Sequence, residues 1–479
     1  MNAFRVYTSI PKEVGVIHFI GIGGIGMSGI AEILHNLGYR VQGTDTAEGY
    51  IVTHLRELGI PVSIGHDAAH LGEAKVVVRS TAVPADNPEI VAARERRIPV
   101  VRRSEMLCEL LRMKMPIAVA GTHGKTTTTA LTAALLDAGG FDPTVINGGV
   151  IHSYGSNVRL GESDWVVAEA DESDGTFLQI PARVAIVTNI DPEHLEHYGS
   201  FDGVREAFQR FVQGIPFYGF AVLCIDHPEV EALAARITDR RIITYGTHFD
   251  AMVRAEDVES SVAGSTFTVV IRTGNVEKRI RGMRCPVPGM HNVRNSLAAI
   301  AVAETLGISE EAMLRGLSQF RGVKRRFTLT GEVEGVTVID DYGHHPAEIM
   351  ATLKAARSFR SSPDARVIAV VQPHRYSRLH GLFDEFCHAL EDADIALIAD
   401  VYAAGEAPIP GADRDALVEG IRATGHKQVE ALPNREALAG MIRERARPGD
   451  LVVCLGAGSI TYWAQSLPQE LAALGSKAA

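Results

Sequence analysis

Along this chain, short continuous apolar runs alternate with stretches in which apolar residues recur at helical spacing. That is the pattern of buried parallel strands joined by helices. Val16–Ile20 (VIHFI) is the first such run, and Gly26–Gly38 has the spacing of the helix that follows it. Tyr39–Gly43, Lys75–Ser80 (KVVVRS) and Pro99–Arg102 (PVVR) read as further strands, up to about Arg112. A second unit begins at MKMPIAVAGTHGKTTTTALTAALLDAGG, with a strand at Pro116–Ala120, a loop at Gly121–Gly124 and a helix at Lys125–Ala138. Trp165–Ala170 (WVVAEA) and Val184–Asn189 (VAIVTN) read as buried strands. Gly264–Arg281 instead alternates apolar and polar residues, as antiparallel strands beside a main sheet do, and a helix over Asn292–Leu306 closes the unit.

From about Gly322 the alternation resumes. It predicts strand Val336–Asp340, helix Pro346–Phe359, strand Arg366–Gln372, helix Ser377–Leu390, strand Ile395–Ala399, strand Leu451–Leu455 and a turn at Gly456–Gly458. The expected fold is therefore α/β in three domains, 1–112, 113–322 and 323–479, each built on a mostly parallel sheet. Sheets of this kind bind ligands at the carboxyl ends of their strands.

Composition narrows the classes of function. A length of 479 residues suits three domains, and a net charge of −11 argues against a nucleic-acid partner, which calls for a basic face. No apolar run is long enough for a membrane span, and MNAFRVYTSIPKEVG lacks the apolar core of a secretory signal. The five cysteines, Cys108, Cys224, Cys285, Cys387 and Cys454, stand singly with no CxxC pair. They fit a reduced, cytoplasmic enzyme whose cysteines pack as small hydrophobes.

Two glycine loops carry the candidate chemistry. In HFIGIGGIGMSG, Gly21, Gly23 and Gly26 spell G-x-G-x-x-G, with Gly24 between them, after a strand and before a helix. Asp45 follows about 20 residues later, where an acid that binds ribose belongs. These features detect a diphosphate next to a ribose, and they leave open a nicotinamide dinucleotide, another nucleotide diphosphate or a tight turn without a ligand. In GTHGKTTTT the backbone of Gly121, Thr122, His123 and Gly124 is placed to cradle phosphates, with Thr127 at the helix start. Lys125 is placed to neutralise β- and γ-phosphates and Thr126 to offer its hydroxyl to Mg²⁺, so ATP is the expected ligand. The loop departs from G-x-x-x-x-G-K-[ST], because Val119 stands at the first glycine. A threonine-rich helix cap is the plainer alternative.

Acidic and imidazole groups follow at the next strand ends. Glu169 and Asp171 in EADESD suit a hard Mg²⁺ ion, although a solvated acidic loop gives the same letters. TNIDPEHLEHYGS brings Asp191, Glu193, His194 and His197, without the HExxH or cysteine partners of a zinc site. Imidazole there suits a second divalent ion or the orientation of a reacting group.

Taken in order, GTHGKTTTT, EADESD, NIDPEHLEHYG, GMHNVRNSLAA, GVKRRF, DDYGHHPAEI and QPHRYSR resemble the Mur ligase family of cell-wall precursor synthesis, over nearly the whole chain. The short phosphate loop is that family's own form. The resemblance implies an N-terminal Rossmann-like domain for a UDP-sugar, a central P-loop ATP-binding α/β domain with extra antiparallel strands, and a C-terminal Rossmann-like α/β domain for the amino acid and part of ATP. With GIGGIGMSGIAE it implies an ATP-dependent amide ligase joining L-alanine to the lactyl carboxylate of UDP-N-acetylmuramate through an acyl phosphate. On this resemblance Gly21, Gly23, Gly24 and Gly26 hold the diphosphate, and Asp45, His66, Ser80, Thr81 and Arg103 help hold the uridine, diphosphate or sugar.

The same resemblance makes Lys125, Glu169 and His194 catalytic. Thr126 and Glu169 would hold the Mg²⁺ of ATP and His194 a second Mg²⁺, with Mn²⁺ as a possible substitute. Asn292 and Asn295, three apart on one helix face, would meet adenine. Arg326 would pair with phosphate and Asp341 with ribose or a neighbouring base, the choice between Asp340 and Asp341 staying open. Arg375 and Arg378 would form a two-pronged site for the alanine carboxylate, bordered by Tyr342 and His344. Catalysis is then expected to need domain closure, with hinges around Met113–Met115 and Arg321–Lys324, in a monomer or homodimer. The alternatives are a ligase that recycles peptides onto UDP-N-acetylmuramate, an NAD-dependent oxidoreductase and a catalytically silent UDP-sugar sensor.

Overall fold

In a computed structural model of the chain, residues 10–11, 14–80, 82–112, 114–261, 263–358, 362 and 364–475 are described. Three separate sheets account for the strands of the described residues. The first has the order Val62–Ile64, Arg40–Asp45, Val16–Ile20, Ala74–Arg79, Val100–Arg102, with every pair parallel. Its central strand, Val16–Ile20, is buried along its whole length, as a strand covered on both faces must be. Gly15 and Gly21, both with left-handed backbone, bracket that strand.

The second sheet has ten strands. Its middle runs parallel through Arg241–Gly246, Phe220–Cys224, Val184–Val187, Met115–Ala120, Trp165–Glu169 and Thr144–Ile151. Ser156–Arg159 joins one edge antiparallel. At the other edge stand Val253–Ser261, Gly264–Thr273 and Val276–Cys285. The last two are joined by only Gly274 and Asn275, a connection that admits only antiparallel pairing. The alternation over 264–281 thus resolves into a hairpin. In the third sheet, Val336–Asp341, Leu451–Leu455, Val367–Val371, Ile395–Ile398 and Val429–Ala431 are parallel, with Thr328–Val333 antiparallel at the edge. Val367, Ala369 and Val371 enter one core and Ile368 and Val370 the other, so both faces of this sheet are covered.

The chain forms two compact units, residues 1–256, 268–283 and 294–320, and residues 257–267, 284–293 and 321–479. Within the first, the core under the Val16–Ile20 sheet continues into Ile146, Val158, Val166 and Ala168 of the ten-stranded sheet. The helix Ile25–Asn36 lies so close there that a Cβ on Gly29 would collide with the Val158 side chain. One expectation is corrected. The helix over Ser377–Leu390 is two helices, Tyr376–Gly381 and Phe383–His388, because Leu382 leaves the helical region at φ −125° and ψ 30°. Gly381 gives the first helix a weak end, and Leu382 and Phe383 both turn onto the core. Phe359, Thr81 and Met113 lie outside the described residues.

Candidate active site

The first glycine loop opens at the carboxyl edge of the first sheet. Gly21 adopts φ +77°, and Gly23 N–H donates to Asp45 Oδ2 at 2.8 Å. A Cβ on Gly23 would crowd that carboxylate at 2.9 Å, so glycine is what lets strand end and loop meet. Gly24 precedes the helix Ile25–Asn36 and gives it no side-chain cap, which leaves first-turn N–H groups for an anion. Ser80 sits beside Gly21, and the Arg103 guanidinium occupies the space a Cβ on Gly26 would need. Arg103 also lies 3.8 Å from Asp171. His66 follows the strand Val62–Ile64 at the same edge, with its Nδ1 2.8 Å from Glu89 Oε1. The structure therefore brings Gly21, Gly23, Gly24, Gly26, Asp45, His66, Ser80 and Arg103 to one edge, while Thr81 is outside the described residues.

The second loop lies in the same unit, between the strand Met115–Ala120 and the helix Lys125–Ala138. Gly121 at φ +130° and Gly124 at φ +83° turn the chain back on itself. Neighbours clamp the loop: His123 N–H donates to Asn189 Oδ1 at 2.7 Å, while Thr188 Oγ1 and Asn189 Nδ2 donate to His123 O at 2.6 and 3.0 Å. Lys125 Nζ donates to Gly121 O at 2.6 Å, Thr122 O at 3.0 Å and Glu172 Oε1 at 2.9 Å. Burial presses the lysine pKa down, but Glu172, Glu169 and Asp171 outweigh it and hold Lys125 above its ordinary value, firmly charged. Thr126 Oγ1 donates to Glu169 Oε2 at 3.0 Å, and Gly148 N–H donates to the same oxygen at 2.8 Å. A hydroxyl and a carboxylate at the foot of a phosphate loop are the hard oxygen ligands Mg²⁺ takes.

His123 stands 3.6 Å from both Asp191 and Glu193. His194 adopts a left-handed φ of +57° and lies 3.7 Å from Glu193, so the turn at NIDPEHLEH gathers two imidazoles and two carboxylates. Asn295 is buried, and its Oδ1 lies 2.8 Å from where a Cβ of Gly124 would sit, which places the amide against the phosphate loop. Asn292, also buried, donates from Nδ2 to Pro288 O at 2.7 Å at the start of the helix Met290–Thr305.

In the second unit, Arg325 and Arg326 both lie over the Tyr342 ring, at 4.7 and 5.0 Å from its centroid. Arg326 is 3.6 Å from Glu348, and His344 is 3.3 Å from it. Asp341 is buried and receives the Phe327 N–H at 2.7 Å, the Gly343 N–H at 2.8 Å and the Thr352 hydroxyl at 3.2 Å. Its carboxylate ties two loops to the strand end. Asp340 receives the Thr461 hydroxyl at 2.5 Å, and burial pushes its carboxyl up to about 6 against that bond and Arg325. Arg375, at φ +70°, lies 3.7 Å from Glu406, and Arg378 Nη1 is 3.3 Å from His374 O. His374 stacks on Tyr402 at 5.5 Å and is lowered to about 4, first by burial and then by His344, Arg378 and Arg375.

Three participants escape the sequence reading. Glu172 is the carboxylate that reaches Lys125, and nothing in EADESD distinguishes it from its neighbours. Asn189 clamps the phosphate loop from the next strand end. Glu89, the buried partner of His66, lies in a helix's first turn and belongs to no motif in the sequence.

A glycine loop open to an anion, and a short phosphate loop with lysine, hydroxyl and carboxylate on a neighbouring sheet, define a nucleotide-dependent α/β enzyme of the P-loop type. The chain belongs to the Mur ligase family: the model described as "Mur ligase family, catalytic domain" matches residues 16–115, "Mur ligase middle domain" 119–303, and "Mur ligase, glutamate ligase domain" 325–458. Among curated relatives, the UDP-N-acetylmuramate–L-alanine ligase of Rhodospirillum centenum is 62% identical over 468 residues, 97% of this chain and 96% of that protein. That of a Bradyrhizobium species is 61% identical over 97% of this chain and 100% of its own. Among solved structures, the UDP-N-acetylmuramate-alanine ligase of Thermotoga maritima superimposes with a TM-score of 0.79 at 31% identity, covering 96% of this chain and 99% of that one. A murein peptide ligase of Psychrobacter arcticus gives 0.69 at 26% identity, over 95% and 98%. Family membership sets aside the oxidoreductase reading of the first glycine loop.

Proposed function

We propose that the chain is an ATP-dependent amide ligase that joins L-alanine to the lactyl carboxylate of UDP-N-acetylmuramate, giving UDP-N-acetylmuramoyl-L-alanine, ADP and phosphate. The observation that carries this reading is the 62% identity, along 97% of the chain, to the relative named for that activity. The peptide-recycling alternative rests on a more distant likeness, at 26% identity. No described helix is long and apolar enough to cross a membrane, which suits a cytoplasmic enzyme acting on small molecules.

A carboxylate is a poor acyl donor because oxide is a poor leaving group, and ATP removes that obstacle. The lactyl carboxylate oxygen attacks the γ-phosphorus, the bond to the β–γ bridging oxygen breaks, and ADP departs. The deprotonated amine of alanine then attacks the acyl carbon, and the tetrahedral intermediate expels phosphate as the nitrogen loses its extra proton. Such a transfer asks the protein for position and charge, not for a covalent nucleophile.

In this reading residues 1–112 bind the UDP-sugar, 113–322 bind ATP, and 323–479 bind the amino acid and part of ATP. Lys125 bridges β- and γ-oxygens once it exchanges carbonyl partners for phosphate. Thr126 and Glu169, already bonded to each other, are the residues to hold Mg²⁺, which when bound neutralises charge on the phosphates. His194 would serve a second ion. Asn292 and Asn295 take adenine, and Arg326 and Asp341 the ATP side of the C-terminal domain. Arg375 and Arg378 take the alanine carboxylate beside Tyr342 and His344.

Phosphate release from Mg-ATP and UDP-N-acetylmuramate, with each common amino acid added singly and products weighed by mass spectrometry, tests the reading. Release that requires L-alanine, with a product one alanyl residue heavier, is expected. Turnover only with a peptide would replace it with the recycling reaction.

A further inference from the structure

His18 stands in the middle of the strand Val16–Ile20, and the parallel register sets it beside Gln42. Gln42 and Thr44 are two apart and so share one face of the neighbouring strand. The fully buried Glu89, in the first turn of the helix Pro88–Glu95, meets that face. His18 Nε2 lies 2.5 Å from Glu89 Oε2, His66 Nδ1 lies 2.8 Å from Oε1, and Thr44 Oγ1 lies 3.0 Å from each oxygen. Burial opposes the ionised form, but the bonds from His18 and His66 overcome it and hold the Glu89 carboxyl below its ordinary range.

Gln42 fixes where the protons are. Its Nε2 lies 2.9 Å from His70 O and 3.3 Å from Leu71 O, and since carbonyls only accept, this atom is the amide NH₂. The same nitrogen is 3.0 Å from His18 Nδ1, which must therefore accept. His18 thus carries its proton on Nε2 and donates it to Glu89. An ionised carboxylate accepts only, so His66 in turn holds its proton on Nδ1. His66 Nε2 has no protein partner among the described residues, and the side chain is 18% exposed at the carboxyl edge of the sheet.

We propose that Glu89 is a positioning residue for nucleotide-sugar binding. With Thr44, His18 and Gln42 it locks His66 in the Nδ1–H tautomer, so that Nε2 meets the ligand as a hydrogen-bond acceptor. An acceptor there selects a donor on the ligand, an imide N–H or a sugar hydroxyl, and a UDP-sugar carries both. The proposal rests on the proposed function, in which residues 1–112, His66 among them, bind the UDP-sugar.

Nitrogen-15 spectra of the imidazoles in the full-length wild type, with His66 assigned by its loss in His66→Gln, read the tautomer directly. A pyrrole-type Nδ1 and a pyridine-type Nε2 that shifts when UDP-N-acetylmuramate is added are expected. An Nε2–H tautomer or an imidazolium at neutral pH overturns the proposal, whatever the variants do. Glu89→Gln replaces one acceptor by an NH₂, which cannot take the His66 proton and the His18 proton together. Calorimetry should then show UDP-N-acetylmuramate bound about tenfold more weakly, with kcat and the ATP KM within about twofold of wild type. Adding His66→Ala should cost nothing further, and additive losses overturn the coupling. If His66→Ala alone binds the nucleotide sugar as wild type does, the proposal falls while alanine-dependent turnover leaves the ligase reading standing. Failure of the wild type to bind UDP-N-acetylmuramate at all removes the ligase reading first.

Discussion

Lys125 is held by two loop carbonyls and by Glu172, so its charge is already positioned at the loop before any phosphate arrives. In the proposed function, removing it takes a positive charge away from the negative charge that develops on the transferring phosphoryl group. Lys125→Ala should therefore lower kcat by about 10²–10³-fold, the usual loss for one electrostatic contact in a transition state. UDP-N-acetylmuramate binding, followed by calorimetry, should stay within about twofold, because its loop is built from other residues. Loss of both together in a folded variant would contradict two separate sites. In the proposed function Arg375 serves a different substrate, the amino acid. Its guanidinium is half exposed and 3.7 Å from Glu406, free to turn to a carboxylate. Arg375→Ala should raise the KM for alanine about tenfold or more, as expected for a lost charge-assisted bond, and leave that for ATP within about twofold. Steady-state kinetics with each substrate varied gives the ranking, and the reverse order would move Arg375 to the nucleotide.

Among the elements, the phosphate loop depends most on backbone geometry. Gly121 lies at φ +130°, and a Cβ there would strike Thr188 Oγ1 and come within 3.0 Å of the Thr188 backbone nitrogen. Gly121→Ala should destabilise the protein by about 1–3 kcal/mol and weaken Mg-ATP binding, because relieving the clash pulls the loop from the strand end that clamps it. Thermal unfolding with and without Mg-ATP measures both, and a variant with wild-type Tm and nucleotide shift would show that the loop tolerates a side chain. The strands around this loop are legible in sequence where they are continuous apolar runs, as in Val184–Val187 and Leu451–Leu455. Thr144–Ile151 (TVINGGVI) is a strand that no continuous apolar run announces, since Asn147 and two glycines interrupt it, yet its Gly148 N–H is what reaches Glu169. The motif residues are equally legible, since glycine, lysine and threonine at fixed spacing have few other uses. Their supports are not. Glu172, Asn189 and Glu89 act through contacts made 47, 66 and 23 residues away along the chain, distances that no local pattern encodes.

At the scale of the whole molecule, buried carboxylates set how stability responds to pH. Asp340 is 2% exposed, has one oxygen on Thr461 and the other without a partner among the described residues, and titrates at about 6. An unfolded aspartate titrates near 3.9. Between those values the folded state holds a proton that the unfolded state has lost, so stability falls as pH rises through this window. Below about pH 4 both states are protonated and the group is neutral in its effect; above about pH 6 it is a buried anion whose cost reaches roughly 3 kcal/mol. Asp340→Asn keeps an acceptor for the Thr461 hydroxyl and removes the titration. Its stability relative to wild type should be near zero at pH 4 and climb by up to about 2–3 kcal/mol by pH 7. Denaturant unfolding of both proteins at a series of pH values gives the difference curve, in which the contributions of all other groups cancel. A flat difference would mean that Asp340 titrates in the fold as it does unfolded, with Arg325 and the Thr461 bond strong enough to offset its burial. A falling one would make it a stabilising anion.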